Sequence, residues 1–299
     1  MTRVPSSTQE ADTPAGGLLS LLLGCVIAAF VALYFKLFVD LAGIWISDDN
    51  ASHSLLLVPI IAWLVWTRRS QLAATPRRPS ALGLALVIGS LLVLLVGTAG
   101  VEFFLMRVSA IGAVVGVILY LAGRGWLQIL AFPVALGFLV IPIPPVIFYQ
   151  LTFPLQVIAS KFGVVALQLV HIPVLREGNV IWLAQTTLEV TEACSGIRSL
   201  LSLFSLAVLY GYFSDPRTGA RVVIALSSIP IAILANGFRI AGTGIAAEYI
   251  GPSAAQGFFH SFSGWTMFLT SAAMLIGVAA LLKRFPVKVS TTVLEPVSL

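Results

Sequence analysis

Residues 190–200 read VTEACSGIRSL, which places a thiol, Cys194, between Glu192 and Arg198 where a polar stretch meets a membrane-length apolar run. Hydrocarbon accommodates none of these groups cheaply, so their position points to chemistry. A helix opening just after Cys194 would hold the thiol at its amino terminus. There the backbone N–H groups favour an anion and lower a thiol pKa. Arg198, four residues on, would share that helix face and add positive charge. Both effects raise the thiolate, the nucleophilic form. Ser195 follows the thiol and is taken as a supporting position, with Glu192.

Two further polar groups fit the same chemistry. In NGFRI (236–240), Arg239 lies within an apolar run, where a charge is a functional candidate, and Asn236 is three residues away and can orient it. In GFFHSFSGW (257–265), His260 stands at the mouth of the last apolar run. Cysteine, histidine and arginine together can transfer an acyl group. The thiolate attacks a peptide carbonyl, the imidazole protonates the leaving amine and later deprotonates an acceptor, and the guanidinium stabilises the oxyanion. A second histidine, His53 in ASHSLLLVP (51–59), competes with His260 for the proton-transfer role; His260 is preferred.

Structural readings stand beside these. Arg239 is a candidate ion-pair partner for Glu248 or Glu192. Arg107 either faces the same cavity or pairs with Glu102, and the pairing is preferred. Cys25 lies in the first apolar run and reads as a small packing residue. Trp45, Trp182 and Trp265 near run ends read as interfacial anchors. The three histidines, His53, His171 and His260, have no ligand spacing, so neither a metal nor another cofactor is expected.

The elements that must position these groups are membrane spans. Of the 299 residues, 59% are hydrophobic and 10% charged, against about 25% charged in a soluble domain. The net charge of +5 comes from basic residues dispersed among short loops, which argues topology and against a nucleic-acid partner. Apolar runs near the ~20 residues of a bilayer crossing occur at about 18–39, 81–100, 105–122, 222–246 and 262–282, with shorter ones at about 54–67, 127–145 and 196–213. The expected fold is therefore an all-α integral membrane protein of eight transmembrane helices over 18–282. Residues 1–17 and 283–299 form cytoplasmic tails, and the first run is an uncleaved anchor and not a signal peptide. Arg68, Arg69, Arg77, Arg78, Arg124, Arg217, Arg221, Lys283, Arg284 and Lys288 then fall on one side, the cytoplasmic one. Cys194, Arg239 and His260 reach one level near the opposite, periplasmic face. Residues 146–172 are interrupted by Gln150, Gln156, Ser160, Lys161 and Gln168, and read as an amphipathic outer-face helix or a re-entrant segment. Residues 174–193 combine a Gly-Asn turn with β-branched residues and read as a short extended flap or hairpin.

At EACSGIRSL (192–200), NGFRI (236–240) and FFHSFSGW around His260, the chain resembles the exosortase/archaeosortase family of membrane-embedded cysteine transpeptidases. SHSLLLVP (52–59) is similar to a further family element, with SHS where SHG is expected. The resemblance covers roughly 45–265, and the first two motifs in this order are its specific part. It implies Cys194 as nucleophile and Arg239 as the family arginine. It also implies His260 at a third position that the archaeal branch fills with arginine, so the bacterial exosortase branch. The implied partners are exported proteins bearing a carboxy-terminal sorting signal: a short motif, often Pro-Glu-Pro, a hydrophobic helix and a basic tail. The implied reaction is cleavage near the motif and transfer to an acceptor, of unknown identity, at the inner membrane; no fused accessory domain is expected. The rival readings are a cysteine protease releasing product to water, an anion transporter or channel built on Arg239, and a non-catalytic scaffold.

Overall fold

The computed structural model describes residues 14–184, 186–189, 197–251 and 258–284. They form α1 (Pro14–Ser47), α2 (Ser54–Thr67), α3 (Arg69–Ala74), α4 (Ala81–Ala99), α5 (Phe103–Leu121), α6 (Arg124–Leu139), α7 (Pro145–Leu169), β1 (Leu175–Glu177), β2 (Val180–Trp182), β3 (Thr187–Glu189), α8 (Ile197–Ser214), α9 (Thr218–Tyr249) and α10 (Phe258–Arg284). Among the described residues, six helices are long and apolar enough to cross a membrane: α1, α4, α5, α7, α9 and α10. The apolar α2, α6 and α8 are shorter. The chain is thus an all-α, multi-pass membrane protein. By length and composition α7 joins the spanning set, although the sequence reads it as interfacial or re-entrant.

The chain divides into two compact units, Met1–Ser47 with Arg68–Val134, and Asp48–Thr67 with Ala135–Leu299. In the first, α4 and α5 form a hairpin whose backbones approach closely. Gly83, Ser90 and Gly97 recur every seven residues on the buried side of α4. A Cβ on Gly83 would collide with the Tyr120 backbone and stand 2.6 Å from Gly116 O. Small residues here replace the hydrophobic effect, which does not separate helix from lipid. Tyr34 of α1, fully buried, hydrogen-bonds Ser109 of α5 at 3.1 Å and packs with Phe30, Ala110 and Ala113. Cys25 is exposed on α1, so the expected packing role is not what the structure shows.

The second unit is built on α9. Leu203 and Ala207 of α8, Ile224 and Ile231 of α9, and Leu275 and Ala279 of α10 form one buried cluster. On another side α9 meets α7: a Cβ on Gly163 would run into Ile240, one on Gly237 into the Phe162 ring, and one on Gly244 into Leu167. The strands make an antiparallel sheet in the order β1-β2-β3, with Glu177 opposite Val180 across the two-residue Gly178–Asn179 turn. Gly178 takes φ +62, the left-handed value that such a turn needs at a residue without Cβ.

The sheet explains the polar residues of α7. Ser160, fully buried, donates to Gly178 O at 3.3 Å, and Asn179 Nδ2 donates to Gln156 Oε1 at 3.4 Å. Ile181 of β2 is fully buried with Leu167, Ile172, Leu183, Ile240 and Ala247. Gln156 and Ser160 are therefore docking points for the turn.

Candidate functional site

The α8–α9 connection is tied down residue by residue. Arg217 donates to both carboxylate oxygens of Asp215 at 2.9 and 2.7 Å and to Leu282 O at the end of α10 at 3.2 Å. Arg221 Nε donates to Asp215 O at 2.7 Å and its guanidinium lies 4.8 Å from the Tyr212 ring centroid. The Arg217 guanidinium beside Asp215 holds that carboxyl down to about 2. All three helices are thereby joined at one end.

From that end α8 and α9 run antiparallel. Gly211 faces Arg221 and Ile224, and Leu203 packs in the cluster with Ile231. Both helices rise about 1.5 Å per residue, so this register, carried onward, brings Ile197, the first residue of α8, level with Asn236. The residues ahead of α8 are numbered from Cys194 three positions earlier.

At about 100° per residue, Gly237, Ile240 and Gly244 lie on the side of α9 that meets α7. Ile224 and Ile231 lie on the side that meets α8 and α10. Asn236 and Arg239 occupy the strip between. Asn236 is buried, 5% exposed, and neither its Nδ2 nor its Oδ1 has a partner among the described residues. An unpaired buried amide costs about 1–3 kcal/mol per group, which an apolar residue of similar volume would avoid. Arg239 is half-buried one turn further along α9. Glu248, one expected partner of Arg239, has its Oε2 buried without a hydrogen bond among the described residues. Glu192, the alternative partner, lies outside the described residues.

Other sequence-derived positions divide sharply. Cys194 and Ser195 also lie outside the described residues. Arg198 stands in the first turn of α8 and His260 in the first turn of α10. His53 is fixed in the loop ahead of α2. Its Nδ1 lies 3.1 Å from Asn50 O and its Nε2 3.3 Å from Leu139 O. Burial pushes its pKa down, partly offset by those carbonyls. The neighbouring Ser54 donates to Val140 O at 3.4 Å. His53 thus fastens the start of α2, its single N–H donating to Asn50 O or to Leu139 O according to tautomer. Arg107 makes no ion pair with Glu102; its guanidinium lies 5.9 Å from the Phe103 ring centroid, and Glu102 instead accepts from Phe104 N as the α5 amino-terminal cap.

His53 lines a cavity of about 320 Å³ with Asp48, Pro145, Tyr149, Leu201 and Ser205, among others. Neither Asn236 nor Arg239 is among its described lining residues. Sequence reasoning did not find this cavity, because a lone Ser205 in an apolar run and a lone Asp48 before one carry no periodic signal. Among the described residues, no three His, Cys, Asp or Glu side chains gather as metal ligands.

A family model described as transmembrane exosortase matches residues 45–277. No curated protein and no solved structure matches the chain.

Proposed function

The chain belongs to the transmembrane exosortase family, and from that premise we propose that it is a cysteine transpeptidase acting on carboxy-terminal sorting signals of exported proteins. The observation that carries this reading is the strip of α9 holding Asn236 and Arg239: polar, buried at Asn236, without described partners there, and level with the start of α8. A buried amide that the described residues leave unpaired is available to a reacting group.

The Cys194 sulfur attacks the scissile carbonyl as thiolate. The C–S bond forms, and the oxyanion is held by the Arg239 guanidinium and the Asn236 amide N–H. His260 gives a proton to the leaving amine as the C–N bond breaks, and then takes one from the acceptor that resolves the thioester. His260 is preferred to His53 because both His53 nitrogens already face backbone carbonyls. Arg198 and the α8 amino terminus favour the thiolate, and Ser195 and Glu192 shape its surroundings.

The same reading assigns eight crossings with both termini cytoplasmic and the site at the periplasmic face of the inner membrane. Two features support it. Open sheet edges are not tolerated in hydrocarbon, so the β1-β2-β3 sheet, and the second half of α7 that it covers from Gln156 onward, belong outside the core. And α9, with 32 residues, is about 48 Å long against a core of about 30 Å, so its last turns, from about Arg239, extend into that outer layer. The sheet acts as a cover that keeps water from the thioester.

The test is co-expression with proteins carrying a motif, hydrophobic helix and basic tail, with the new carboxy terminus mass-mapped. Wild type should yield a product heavier than the hydrolysed acid by an acceptor. Cys194→Ala should leave the substrate intact, roughly 10³-fold or more below wild type, at normal helical content. Full processing by Cys194→Ala would exclude the thiol mechanism, and a plain acid product would identify a protease.

A further inference from the structure

The 320 Å³ cavity beside the first half of α8 has a chemistry of its own. Resting on the transpeptidase reading above, we propose that it is the acceptor site and that it takes a primary amine, held by Asp48, Ser205 and the surrounding aromatic rings.

The lining contains one full charge, Asp48, and neither Lys nor Arg among the described residues. Asp48, exposed at the cavity rim, accepts from Asn50 N at 2.9 Å, and among the described residues no cation pairs with it. Across the cavity Ser205, 4% exposed, has a hydroxyl with no hydrogen-bond partner among the described residues. Six other helical serines, Ser90, Ser109, Ser160, Ser227, Ser228 and Ser271, each donate to a carbonyl one turn back, whereas Ser214 of α8 is also without a partner among the described residues. Ser54 is engaged with Val140 O, and His53 lies between two carbonyls, Asn50 O and Leu139 O. The lining thus offers an anion, a hydroxyl, and the rings of Phe148, Tyr149 and Phe204. An ammonium satisfies all three, by ion pairing, by donation to Ser205 and by attraction to ring faces. An acidic peptide motif is repelled by Asp48 with no compensating cation.

The location suits an acceptor. Leu201, the first α8 residue in the lining, is four residues past the helix start, about 6 Å along the axis. The cavity thus lies between α7 and the end of α8 that Cys194 precedes in the sequence. The ammonium loses one proton to neutral His260. The free amine attacks the thioester carbon, the C–N bond forms as the C–S bond breaks, sulfur leaves as thiolate, and the second nitrogen proton passes to water, giving an amide.

Binding is tested apart from catalysis, in full-length Cys194→Ala protein in phosphatidylcholine nanodiscs. A photoreactive alkyl amine and the alcohol of equal length are compared, with labelled peptides mapped. The amine should label peptides containing Tyr149 or Ser205 at roughly tenfold lower concentration than the alcohol, and Asp48→Asn should abolish that preference. Equal labelling by the two probes, or a preference unchanged in Asp48→Asn and in Ser205→Ala, overturns the proposal whatever the enzyme does to its substrate. Wild-type protein is then given a sorting substrate, in one arm with soluble ethanolamine and in the other with phosphatidylethanolamine in the disc. An amide-linked adduct in either arm supports the proposal and names the source. Amine-selective labelling with only acid product overturns the acceptor role through failure of the transfer reading, and leaves the cavity as an amine site.

Discussion

The two ends of the α8–α9 pair treat polar groups in opposite ways. At the connected end, Asp215, Arg217, Arg221 and the Leu282 carbonyl satisfy one another within 3.2 Å. At the other end, Asn236 and Glu248 Oε2 are buried without partners among the described residues. Both ends keep polar side chains at a desolvation cost, but only the first recovers it within the fold. On the proposed reading, the difference separates groups that hold helices together from one, Asn236, kept for a reacting molecule.

Mutations should split along that line. The largest effect is expected from Asn236→Leu. It removes unpaired donors and acceptors from a buried site, so the melting temperature should hold or rise. Processing should fall roughly 10²–10³-fold as an oxyanion donor is lost. A lower melting temperature with normal processing per folded molecule would place Asn236 with the structural end instead. A smaller effect is expected from deleting Glu177 to Asn179, the turn that docks on Gln156 and Ser160. The ratio of hydrolysis to transfer should rise severalfold, measured by product mass; an unchanged ratio would remove the sheet's role as a cover.

Asp215→Asn should do the reverse of Asn236→Leu, lowering the melting temperature by a few degrees and leaving processing by the folded enzyme intact. Its pH dependence gives the finest test. The Asp215 carboxyl is held at about 2 in the folded chain against 3.8 ordinarily. Its contribution is therefore fully present above pH 3.8 and is lost as pH falls toward 2. Circular-dichroism melts of wild type and Asp215→Asn should differ by a constant amount from pH 5 to 7 and converge between pH 4 and 2. A gap that persists at pH 2 would show that the clamp does not act through the ionised carboxylate.

Much of the scaffold was legible in the chain because lipid imposes a one-dimensional rule: a run of apolar residues, long enough, is a helix that can cross. The Gly178–Asn179 turn was legible too, since its backbone demands those residues locally. The polar residues in α7 were visible as interruptions, but their reason was not, because Gln156 and Ser160 answer to a turn some twenty residues away.

The amino-acid sequence alone determined that this is a multi-pass helical membrane protein of the exosortase family, because membrane length, basic loops and contiguous motifs are all local. It could nominate Cys194, Arg239 and His260 on the same local grounds. Only tertiary structure decided that His53 lies between the Asn50 and Leu139 carbonyls, that Gln156 and Ser160 meet the Gly178–Asn179 turn, and that Ser205 and Asp48 share a cavity. Those facts depend on which backbone oxygen or neighbouring helix lies within 3–4 Å, and that distance is set by packing between segments far apart in the chain.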